Sequence, residues 1–158
     1  MFPVLLPFFR WIDSTWLSHE IRDSTWQFAI FEMIHLIGLT MLLGSLMVLD
    51  LRLFGFGIKR QRTADLSRDL RGWLTSGLWL ILLTGVLLFF GEPMKLYANA
   101  SFHVKMLLLF LAIVFQFTLF NRIANGKEFS PGVNKFAGAL SLFLWFGVGL
   151  AGRGIGFL

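Results

Sequence analysis

The chain has 158 residues, 56% of them hydrophobic and 16% aromatic, and a formal net charge of +5. With a mean hydropathy of +0.73 it is too apolar for an ordinary soluble domain, which predicts an integral membrane protein whose first partner is the lipid bilayer. The absence of cysteine excludes disulfides, thiolate metal sites, iron–sulfur clusters and covalently attached c-type haem. Most of the surplus positive charge lies in two short loops that membrane topology explains, so nucleic acid is not expected as a partner.

Residues 1–23 have neither a basic start nor a small-residue cleavage site, and so do not read as a cleaved signal peptide. Leu5, Phe8, Phe9, Ile12, Trp16 and Leu17 form a helical stripe, which predicts an amphipathic helix in the membrane interface. Asp-Ser-Thr-Trp occurs at Asp13–Trp16 and again at Asp23–Trp26, giving two helix-start signals. Ser24 with Gln27 three residues later fits a capping box, so the first membrane helix is expected over 24–53.

This helix carries the run Phe31–Gly55, which has no Asp, Glu, Lys or Arg from Met33 to Leu49. At about 1.5 Å per residue it spans the roughly 30 Å hydrocarbon core. Arg52–Arg71 follows as a basic loop, with Gly55 and Gly57 breaking the helix and Lys59 and Arg60 among its cations. Leu66, Leu70, Trp73 and Leu74 form an amphipathic lead-in to the second span. The second span is expected over 72–90, ended by Gly91-Glu92-Pro93, and a short outer loop through Lys95, Tyr97 and Asn99 leads to a third over 102–120. Asn125-Gly126 and Ser130-Pro131-Gly132 mark a second inner loop. The fourth span, over 136–152, is stopped by Arg153, and its Gly147, Gly149, Ala151 and Gly152 permit close helix contact.

The expected fold is therefore all-α: a four-helix membrane bundle over 24–158 with an interfacial segment over 1–23. Of the 14 Lys and Arg, nine lie in the two loops after the first and third spans: Arg52, Lys59, Arg60, Arg62, Arg68 and Arg71, then Arg122, Lys127 and Lys135. The positive-inside rule places those loops in the cytoplasm and both termini outside it.

Glu32 and His35 sit three apart on one helix face, and ionisable side chains at such depth mark functional sites. One reading is haem b held between His35 and His103, with Lys105 and Arg153 pairing with propionates and Glu32 orienting an imidazole. His35 lies 15 residues before Asp50 and His103 lies 19 before Arg122, a depth mismatch of about 6 Å that this reading must absorb. A structural reading pairs Glu32 with Lys105, which are nearly level, as an interhelical ion pair. A third assembles copper ligands from Met33, His35, His103 and Met106.

Glu32-x-x-His35 also matches half of a di-iron motif, but the remaining carboxylates are missing. His19 reads as interfacial, Asp50 with Arg52 as a local charge pair, and Gln116 as interhelical glue. No nucleophile–base arrangement, phosphate loop or zinc motif points to an enzyme acting on its own.

The run IRDSTWQFAIFEMIHLIGLTMLLGSLMVLDLRLFG, with LTGVLLF in the second span, FHVKMLLL in the third and AGRGIGF at the end, resembles a bacterial family called domain of unknown function 6644. The similarity covers nearly the whole chain, and Glu-x-x-His-x-x-Gly followed by Asp-Leu-Arg-Leu-x-Gly is its most specific part. It implies a small inner-membrane protein without an established activity, with Glu32, His35, Gly38, Asp50, Arg52, Lys105 and Arg153 at the motif positions. A looser likeness to cytochrome b561-type and copper-resistance membrane proteins is architectural only. The expected function is a haem b-binding electron-transfer or membrane-anchor subunit of the bacterial inner membrane, working with a redox partner or quinone. The alternatives are a structural subunit of a membrane complex with no cofactor, or a copper-handling protein.

Overall fold

The computed structural model describes residues 3–56, 62–120, 122 and 130–157. Gly57, Lys59, Arg60, the Asn125-Gly126 turn and Lys127 lie outside the described residues. Among those described, the chain is all-helical: a 3-10 turn over Pro3–Leu5, then α1 (Leu6–Asp13), α2 (Trp16–Asp23), α3 (Gln27–Leu53), α4 (Thr63–Gly91), α5 (Pro93–Ala98), α6 (Ala100–Phe115) and α7 (Pro131–Gly154). A π-helical turn, Gln116–Phe120, continues α6. Four helices are long and apolar enough to cross a membrane: α3, α4, α6 with the start of its π turn, and α7.

The expected N-terminal helix is two helices. The first Asp-Ser-Thr-Trp breaks it, because Ser14 turns its hydroxyl onto the Trp11 carbonyl (2.7 Å) and Thr15 caps α2 by accepting from the Ser18 amide. The second copy starts α3, where the Ser24 hydroxyl accepts from the Gln27 amide at 3.2 Å. Gly55, at φ +90°, lies in the left-handed region that ends a helix.

Three other boundaries differ from the expectation. The amphipathic lead-in is not separate from the second span: α4 runs unbroken from Thr63, because Leu66 and Ser67 are already buried against the bundle. Pro93 opens α5 across Lys95 and Tyr97 where a loop was expected, since proline suits a first helical turn. Ser130-Pro131-Gly132, read as loop, is a helix start in which Ser130 caps α7 and Pro131 occupies its first position. Arg153 lies inside the last turn of α7 rather than beyond it.

α3 packs most extensively on α4, α6 on α7, and α3 on α7. α4 and α6 close the ring at one end, where Phe89 stacks on Phe102 with ring centroids 6.0 Å apart. In lipid no hydrophobic force drives helices together, so contact quality decides which faces pair. Glycine sets the tightest seam: a Cβ on Gly77 would stand 2.8 Å from the Leu42 amide nitrogen and 2.9 Å from the Gly38 carbonyl oxygen, so the α3 and α4 backbones touch. Leu42, Leu46, Leu49, Ile81, Ala112, Leu144 and Trp145 fill the centre.

The short helices gather at one end, here the cap end. Phe9 of α1 packs on Phe89 and Tyr97, each 5.2 Å between centroids. Arg22 of α2 donates to the Gly91 carbonyl at the end of α4 and pairs with Asp13. α3 therefore runs from the cap end to the opposite, loop end, α4 and α7 return, and α6 descends beside α7.

Candidate functional site

In the cap-end half, side chains from α3, α4 and α6 meet against α7. His35, eight residues or about 12 Å along α3, reaches α4, where its Nδ1 lies 2.9 Å from the Thr84 hydroxyl oxygen. Its Cε1 also lies beside Gly85, 3.4 Å from where a Cβ would stand. The Thr84 hydroxyl donates its one proton to the Leu80 carbonyl, so toward His35 it accepts, and the ring donates from Nδ1. In neutral His35 this leaves the Nε2 lone pair as the ring's free acceptor, an arrangement that also orients metal-binding histidines.

Lys105 of α6 is the site's cation. It lies within electrostatic range of the His35 ring, and its Nζ rests on α7, 3.4 Å from where a Cβ on Gly152 would stand. The lysine side chain thus lies along α7 at Gly152. Neighbouring contacts hold α6 to α7: the Asn99 side chain caps α6 by accepting from the Phe102 amide and donates to the Ile155 carbonyl, both at 3.2 Å.

The other expected site residues differ from these in exposure and contacts. Glu32 is exposed on α3 about 7.5 Å from its first residue, and among the described residues no ion pair joins it to Lys105. The hydrogen bond that fixes His35 comes from Thr84, not from Glu32. Arg153 is exposed, with its guanidinium over the Phe157 ring at 5.2 Å. His103, half-buried on α6, lies edge-on to Phe102 with ring centroids 6.0 Å apart. Met33 and Met106, the thioethers of the copper reading, are exposed on their helices. Among the described residues no three His, Asp or Glu side chains form a metal-holding group.

Thr84 went unnoticed in the sequence, although it is the lone hydroxyl in the apolar run from Leu78 to Phe90. Asp50 differs from the expected local charge pair with Arg52. It is fully buried and enters no ion pair among the described residues. Two residues along a helix are about 200° apart, so Arg52 lies on another face of α3, where its own Nε is buried.

Residues 8–158 match the family described as "Family of unknown function (DUF6644)". Neither a curated protein nor a solved structure matches the chain.

Proposed function

Because the chain belongs to the DUF6644 family, whose function is unknown, we propose one from its side chains: a membrane subunit that binds haem b in the cap-end half and exchanges electrons with a redox partner or quinone. The observation that carries this reading is the His35–Thr84 pair, which commits Nδ1–H and leaves Nε2 to ligate iron. Lys105 supports it. A half-buried ammonium with no ion pair among the described residues calls for an anion, and a haem propionate is one.

When bound, haem would supply the one-electron chemistry. His35, with its ring angle set by Thr84, would hold the iron and Lys105 would pair with a propionate. His103, two residues from Lys105 and so on another face of α6, would hold the iron from a second helix only with α6 rotated. Arg153 would serve the outer propionate in place of its contact with Phe157. Replacing His35 by Ala should abolish the pigment while the protein remains helical and extractable; normal haem content in that variant would remove His35 as a ligand.

A structural role in a larger membrane complex is the second reading, and the coverage of α6 favours it. This helix is the least covered of the four and presents Val104, Leu107, Phe110, Val114 and Phe117 outward. Under either reading the protein sits in the bacterial inner membrane with both termini outside the cytoplasm, following the positive-inside count. A reporter fused after Phe157 should be active only outside; cytoplasmic activity would reverse the orientation.

A further inference from the structure

A second polar cluster, unlike the first, is sealed inside the loop-end half. Asp50 on α3 is 0% exposed, and neither carboxylate oxygen has a hydrogen-bond partner among the described residues. On α7, Ser141 and Trp145 are 0% and 1% exposed, and Ser141 Oγ and Trp145 Nε1 are unpartnered in the same way.

The three converge. Ser141 is the side chain that the Asp50 carboxylate faces across the helix pair, and the two stop short of a hydrogen bond. Gly138, one turn before Ser141, packs on the Asp50 backbone: a Cβ there would stand 3.2 Å from the Asp50 carbonyl oxygen. Side chains lean toward the N-terminus of their own helix. In antiparallel α3 and α7 this tilts Asp50 toward Ser141 and swings the Trp145 indole back toward Asp50.

A buried carboxylate with no counter-charge is too costly to persist, and ionisable groups inside membranes mark ion and proton sites. The donor and acceptor count shows what would complete this one. Asp50 as a carboxylate only accepts, Trp145 only donates, and Ser141 has one proton to give. Gly138 and Ser141, which meet Asp50 from α7, bring no charge, and among the described residues Asp50 enters no ion pair. One positive charge between Asp50 and Ser141 balances the cluster and leaves the second carboxylate oxygen to accept from Trp145 Nε1–H.

We propose that Asp50 and Ser141 form an intramembrane monovalent-cation site that takes a proton or a sodium ion, with Trp145 holding the remaining carboxylate oxygen. With a proton, one O–H bond forms on Asp50 and donates to Ser141 Oγ, while the serine proton turns to a carbonyl of its own helix. With sodium, the carboxylate stays ionised and both Asp50 and Ser141 give oxygen ligands.

Infrared spectroscopy of the full chain in liposomes, in sodium and in potassium buffer, tests the site. A protonated-carboxyl band equal in both buffers, lost in Asp50→Asn and moved by Ser141→Ala, identifies the proton. An Asp50 carboxylate band that shifts only with sodium, and whose shift Ser141→Ala removes, identifies sodium. An ionised Asp50 indifferent to sodium, or a band that Ser141→Ala leaves in place, overturns the proposal. Ser141→Ala keeps the carboxyl in place, so the test stands even where Asp50→Asn does not fold.

Discussion

The two halves of the bundle each hold ionisable groups and handle them in opposite ways. In the cap-end half, His35 is bonded to Thr84, Lys105 is half-buried, and the surround is partly open. In the loop-end half, Asp50, Ser141 and Trp145 are closed off and their polar atoms lack partners. The open half joins a cation to a ligating nitrogen, which suits a large ligand bearing acids. The sealed half centres on one enclosed carboxylate, which suits a small cation. Burial and hydrogen-bond satisfaction, more than residue type, decide what each half can receive.

The sharpest test of sealed packing is Trp145→Ala. It should cost about 3–5 kcal/mol of stability, by the loss of a fully enclosed indole, whereas Phe143→Ala, on the exposed face of the same helix, should change little. Unfolding in detergent compares the two, and equal losses would erase the distinction between core and lipid-facing surface. Next is Gly77→Ala, which drives a methyl against the α3 backbone and should cost about 1–3 kcal/mol. An unchanged unfolding midpoint would mean that α3 and α4 are not in backbone contact.

Thr84→Val keeps the shape at His35 and removes its acceptor. Haem affinity should fall roughly 10- to 100-fold in a haem titration, while Ser141→Ala leaves it unchanged; equal effects would merge two sites that the structure separates. The smallest effect belongs to Gly44→Ala. A Cβ there meets nothing within 4 Å, so helix propensity should raise stability by about 0.5–1 kcal/mol, and a loss would reveal a neighbour.

The four spans were legible because each hydrocarbon crossing demands a long uncharged run, and the capping signal at Ser24 is local chemistry, whereas the cap at Asn99 was hidden in an expected loop. Less legible were boundaries at which one residue type serves two ends: Ser130-Pro131-Gly132 looks like a turn and acts as a helix start. His35 and Lys105 stood out as rare polar groups in apolar runs. Thr84 and Ser141 did not, since a hydroxyl in a membrane helix usually bonds its own backbone, and only helix register shows that each faces an ionisable side chain. Asp50 was read with Arg52 because the two are near in sequence, although helical rotation separates them.

The measurement that bears most directly on the haem assignment is a reduced-minus-oxidised visible spectrum of the purified wild-type protein, with pigment and metal quantified in the same sample. The account predicts a low-spin b-type spectrum at about one haem per chain. A colourless, metal-free protein that stays colourless when haem is added would contradict it and leave the structural subunit as the reading of this fold.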